Sequence, residues 1–184
     1  MRTATRFLSR SAASSMVVAA ALAFVGVQAA GQTATAATAT KSASTVAACT
    51  AANMKLTVTE ATRPVNHLLL KATNTGAKPC YAYNAPLLKA GADAQAPLPW
   101  AQESVPQAVV LVKPGQSAYA GILTYSPDGE GGGNAKTLGV TLAGKSGGAT
   151  GKEKTLTLPN GGTVFNSAAT VSYWQDNAAD ALVW

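Results

Sequence analysis

Eight consecutive residues, Gly139-Val140-Thr141-Leu142-Ala143-Gly144-Lys145-Ser146, have the spacing of a phosphate-binding loop: glycine, four residues, glycine, lysine, serine. That chemistry needs a loop that leaves a strand, wraps an anion in backbone N–H groups and enters a helix whose N-terminus faces the phosphate. Here the four intervening residues alternate as a strand themselves. The next five, Gly147-Gly148-Ala149-Thr150-Gly151, are too rich in glycine to start a helix, so no nucleotide or other cofactor is expected. Gly144-Lys145-Ser146-Gly147-Gly148 also satisfies the G-x-S-x-G elbow of serine hydrolases, and a glycine loop of this kind does not hold a nucleophile in place. The one histidine, His67, precedes that serine, the reverse of the order in which such hydrolases carry the two. A secreted hydrolase using Ser146 and His67 is therefore the weakest of three functional readings. His67 has no second histidine or free cysteine as a co-ligand, and Asp128, Glu130 and Asn134 in the SPDGEGGGN loop lack the alternating pattern of a calcium loop. No metal site is expected.

Two cysteines, Cys49 and Cys80, stand thirty-one positions apart, outside any Cys-x-x-Cys arrangement. An even count in an exported chain points to one structural disulfide. Val46-Ala47-Ala48-Cys49 also resembles the short box at which bacterial lipoproteins are cut and acylated, but some eighteen small or polar residues separate it from the apolar run such a box should follow. Of the nine aromatic residues beyond Phe7 and Phe24, Trp100 lies in the long Pro-rich stretch Leu87 to Pro106, where it either caps the core or presents an anchor to a partner or sugar. Tyr81 and Tyr83 are the other candidate partner-binding residues.

These residues are positioned by an exported β-domain. Residues 1–30 have the layout of a secretory signal peptide: basic Arg2, Arg6 and Arg10, an apolar run from Met16 to Val27, then small residues. The run is shorter than the ~20 residues needed to cross a bilayer, so no stable membrane span is expected after cleavage following Ala29, Ala30 or Ala36. Removing the signal leaves eleven of fourteen basic residues against eight acids, so the formal charge falls from +6 to +3. The remaining lysines form no stripe, and nucleic acid is excluded as a partner. Residues 31–48 (GQTATAATATKSASTVAA) hold no large side chain and read as a flexible spacer.

From residue 49 to 184 the pattern is short strands. Leu56 and Val58 alternate with Lys55, Thr57 and Thr59; Leu68, Leu70 and Ala72 with Leu69, Lys71 and Thr73; Leu138, Val140 and Leu142 with Thr137, Gly139 and Thr141; Leu156 and Leu158 with Thr155 and Thr157. Each predicts a strand with one buried face. Val109 to Val112 reads as a fully buried run; Ser117 to Tyr125, Thr163 to Asn166 and Thr170 to Trp174 complete about eight strands. Turn residues separate them, among them Asn74-Thr75-Gly76, Lys113-Pro114-Gly115 and Gly144 to Gly151. The expected fold is all-β, an antiparallel sandwich.

The succession Ala48-Cys49, Asn74-Thr75-Gly76-Ala77-Lys78-Pro79-Cys80, Tyr81 to Leu88 (YAYNAPLL) and Val109 to Ala120 (VVLVKPGQSAYA) resembles the domain of unknown function 4232 family of exported actinobacterial proteins. The resemblance covers Cys49 to Val171. It implies an immunoglobulin-like sandwich bridged between Cys49 and Cys80, and no known activity. Where the family tends to carry glycine before its Tyr-Pro pair, this chain has Tyr83-Asn84-Ala85-Pro86. The favoured reading is a secreted, monomeric, non-enzymatic interaction or structural module whose partner is a protein or a cell-wall component. The alternative is recognition of an envelope glycan or peptide around Trp100, Tyr81 and Tyr83.

Overall fold

A computed structural model describes residues 45–184. The expected signal peptide and most of the expected spacer, residues 1–44, lie outside the described residues. Eleven strands succeed one another: β1 (Met54–Glu60), β2 (His67–Asn74), β3 (Cys80–Ala90), β4 (Trp100–Ala101), β5 (Val110–Val112), β6 (Ser117–Leu123), β7 (Gly133–Ala135), β8 (Thr137–Ala143), β9 (Ala149–Thr157), β10 (Thr163–Phe165) and β11 (Thr170–Ser172). Among the described residues the only helical turns are three short 3-10 segments, Gln102–Ser104, Pro159–Gly161 and Asp180–Leu182. The fold is all-β.

The strands form a five-stranded sheet in the order β1-β2-β6-β11-β4, a four-stranded sheet in the order β5-β3-β8-β9, and a small β10-β7 pair. Pairing is antiparallel except where β4 runs parallel to β11 and where Ala48 bridges Tyr81. β1 and β2 obey their alternation: Met54 and Leu56, then Leu68, Leu70 and Ala72, are buried, while Lys55, Thr57 and Lys71 are exposed. These side chains join Ile122 and Val171 of the same sheet, and Leu88, Val112, Leu138, Val140 and Leu142 of the other, in one apolar cluster closed by Trp174. Alanines at 72, 82, 85, 118 and 120 supply much of the rest of that cluster.

Four expectations need correction. Tyr81 to Leu88 is absent from the expected strands, yet β3 runs eleven residues from Cys80 to Ala90, with a register shift between Tyr83 and Leu87. Pro86, which has no N–H to give a ladder, sits inside that irregularity. Asn84 bends the chain there with φ of 53°, at the point where the family tends to carry glycine, and its Nδ2 donates to the Gly144 carbonyl at 2.7 Å. Second, β5 is half-buried rather than fully buried, because it is a sheet edge: Val110 and Val112 face in, and Val109 and Leu111 stay 46% and 39% exposed. Third, β8 is covered on both faces, with every residue after Thr137 buried; it lies between β3 and β9, and the Glu153 side chain lies over Gly139. Fourth, β9 begins at Ala149, inside the stretch read as a turn, and is largely exposed as the opposite edge. Its register with β8 shifts between Val140 and Leu142, and Gly151, at φ of 81°, takes up that shift.

The disulfide joins Cys49 to Cys80, both buried, with their Cα atoms 4.9 Å apart. It pins the segment leading into β1 of one sheet to the first residue of β3 in the other. Ala47 and Ala48, the end of the expected spacer, join the same seam: the Tyr81 N–H donates to the Ala47 carbonyl and the Cys49 N–H to the Tyr81 carbonyl, each at 2.9 Å.

Candidate binding surface

The residues with catalytic spacing are separate parts of the sheet scaffold. Gly139 to Ala143 belong to β8, and the turn after it closes on itself through Gly144 N–H to Gly148 O at 2.7 Å and Gly147 N–H to Gly144 O at 2.9 Å before entering β9, a strand. His67 opens β2 with Nδ1 2.8 Å from the Val65 carbonyl and its ring edge-on to Trp184 at 5.9 Å. Among the described residues no three His, Cys, Asp or Glu side chains gather as a metal site would require. No helix among them is long and apolar enough to cross a membrane.

Trp100 and the two tyrosines occupy different surroundings. Trp100 is half-buried: its Nε1 donates to the Pro86 carbonyl at 3.2 Å, its ring stands edge-on to Tyr173 at 5.7 Å, and it packs on the central cluster. Tyr81 and Tyr83 alternate with buried Ala82 and so lie on the outer face of β3, their rings 5.6 Å apart. Tyr81 is registered directly opposite Leu111 of β5.

Leu111 leads to a feature that sequence reasoning missed. After β4, the outer strand of one sheet, the chain makes the Gln102–Ser104 turn and crosses to β5, the outer strand of the other. Between this crossing and the C-terminal segment lies an open groove of about 710 Å3. Four aliphatic side chains with large exposed areas line it: Val105, Val109, Leu111 and Val183, at 54%, 46%, 39% and 79%. Isolated exposed valines are ordinary; here four exposed aliphatic side chains line one groove. Glu103, Asp176 and Asp180 stand on the same groove, and no lysine or arginine lines it. The Asn177 amide donates to both aspartates, at 3.1 Å to Asp176 Oδ1 and 2.7 Å to Asp180 Oδ2, and keeps the two carboxylates side by side. Among the described residues the one ion pair is Lys89–Glu153, so all three groove carboxylates lack a cationic partner there.

The floor of the groove is an open strand edge. Tyr81 spends its N–H and C=O on Ala47 and Cys49, on the side of β3 away from β5. Residues directly opposite one another in an antiparallel pair orient these groups alike, both toward or both away from each other. Leu111, opposite Tyr81, therefore turns its N–H and C=O outward, away from β3. A second open depression of about 660 Å3 adjoins the groove at Leu111 and Asp176 and is bordered by Lys71 and Lys113.

Together these features define an all-β, disulfide-closed domain with a groove beside the outer strand β5 that is lined by exposed aliphatic and acidic side chains. Residues 49–175 match the family described as Domain of unknown function (DUF4232), and the chain belongs to that family. Comparison with curated proteins and with solved structures finds no match.

Proposed function

We propose that the chain is an exported, non-enzymatic module, an immunoglobulin-like sandwich that holds a macromolecular partner in the groove beside β5. The observation that carries this reading is the gathering of Val105, Val109, Leu111 and Val183 on one groove next to a strand edge. An apolar surface that a folded chain leaves in water has a ready occupant in a partner that buries it. The signal-like residues 1–30 and the Cys49–Cys80 bridge support a place outside the cytoplasm, where disulfides persist. The two main sheets sharing one core support the sandwich.

Site-specific photocrosslinking in the native host tests both halves. A benzophenone side chain at Val109 is expected to yield a discrete adduct in the envelope or culture fraction, on a chain that begins after Ala29, Ala30 or Ala36. The same label at Thr155, on the opposite sheet edge, is expected to yield none. Equal labelling from both positions would remove the groove as the contact surface, and retention of the uncut chain in the cytoplasm would remove export.

A further inference from the structure

We infer that β5 takes an extended polypeptide segment as an added strand, with cationic side chains at the end that passes Val109; this rests on the groove being the contact surface. Strand addition needs a free row of backbone groups and room beside it. Leu111 supplies an outward N–H and C=O, and open space runs the length of the strand, about 710 Å3 toward Val109 and about 660 Å3 toward Lys113. A guest strand pairing from Val109 to Lys113 needs about five residues at the usual rise per residue. Its side chains alternate, so one set meets the exposed Val109 and Leu111 side chains on the outer face with Tyr81.

Charge then selects the guest and its direction. At the Val109 end the guest meets Glu103, Asp176 and Asp180, with no cation on the groove to offset them. At the other end it meets Lys71 and Lys113, while Asp176 borders both stretches, so the end beside Glu103 and Asp180 is the one that favours cations. Complementary charge of this kind fixes register and orientation more than it adds affinity.

The test is panning of a random ten-residue peptide library on the oxidised, secreted chain. The expected pool is apolar at alternate positions with Lys or Arg gathered at one end. A synthetic peptide from that pool is expected to slow hydrogen exchange at the Leu111 amide. It is expected to bind Leu111→Pro about tenfold more weakly, since proline removes the donor while an edge position tolerates it. A double Asp176→Asn, Asp180→Asn variant is expected to bind severalfold more weakly and with a smaller salt dependence. The exchange measurement uses the unaltered chain and stands whether or not Leu111→Pro folds. Enriched peptides that leave Leu111 exchange unchanged would overturn strand addition while leaving the groove as the contact surface. Enrichment of neutral or acidic peptides would overturn the charge assignment, and no enrichment at all would overturn both readings.

Discussion

Asn74 closes β2 with 1% of its surface exposed, and both ends of its amide are committed. Nδ2 donates to the Lys78 carbonyl and to the Val112 carbonyl, each at 2.9 Å, and Oδ1 accepts the Gly76 N–H at 2.9 Å. One side chain thus shapes the turn into β3 and ties β2 of one sheet to the end of β5 in the other. Asn74→Ala removes three hydrogen bonds, one of them fully buried, a loss of about 3 kcal/mol. For a domain of about 140 residues the unfolding entropy is near 0.3 kcal/mol per degree, so Tm should fall by about 10 °C. Asn74→Asp keeps the volume and the acceptor for Gly76, but puts a carboxylate oxygen against the two carbonyls. At neutral pH it should be worse than alanine. Burial and those carbonyls raise the folded-state pKa of the introduced carboxyl above its unfolded value of about 3.9. The folded variant then binds the extra proton, so its stability relative to wild type falls as pH rises above about 4 and recovers below it. Urea unfolding monitored by tryptophan fluorescence at pH 4 and pH 7 measures both effects. If Asn74→Asp is no worse than Asn74→Ala at pH 7, or its deficit is the same at both pH values, then Nδ2 does not hold the two carbonyls and the reasoning fails.

Reduction of Cys49–Cys80, or replacement of both by alanine, releases a constraint spanning thirty-one residues of separation and should lower stability by about 4 kcal/mol, or Tm by about 12 °C; a shift under 4 °C by calorimetry would show that the bridge constrains little. Two glycines make a matched pair. A Cβ on Gly121 would collide with the Ala181 carbonyl, backbone that cannot swing aside, so Gly121→Ala should cost about 3 kcal/mol, lift the Asp180–Leu182 turn and expose Trp184 to quenchers. For Gly139→Ala the nearest obstacle is the Glu153 side chain, 42% exposed and able to turn outward, so the cost should be less than about 1 kcal/mol; equal losses in the two variants would contradict this contrast.

The strands that could be read from the sequence are those whose two faces differ in chemistry. In β1 and β2, lysine and threonine alternate with leucine and alanine, and the burial tracks them residue by residue. β3 escaped because its pattern is broken where the strand is: Tyr83-Asn84-Ala85-Pro86 has the composition of a turn, and only the hydrogen bond from Asn84 to Gly144 shows that the irregularity is held within a continuous strand. β9 was cut short because Ala149 to Gly151 look like more of the glycine turn, when a neighbouring strand rather than local propensity orders them. The Asn-Thr-Gly turn was visible as a turn, but nothing in its spacing reveals that Asn74 reaches β5, thirty-eight positions further on.

The groove was illegible for a related reason. Its walls, Glu103 to Leu111 and Gln175 to Val183, are distant in sequence, and each alone is an unexceptional mixture of small, acidic and aliphatic residues. The unbroken apolar run Val109 to Val112 reads as core because a sheet interior and a sheet edge use the same β-branched residues; only the strand order separates them. Net charge misleads further. A chain at +6, or +3 without its first thirty residues, suggests an anionic partner, yet three of its eight acids meet on one apolar groove that no basic residue lines. What a partner feels on contact is the local field, within about a Debye length, and not the sum over the chain. The basic excess is spread over residues that do not line the groove, so the groove carries a local negative charge that the sum over the chain hides.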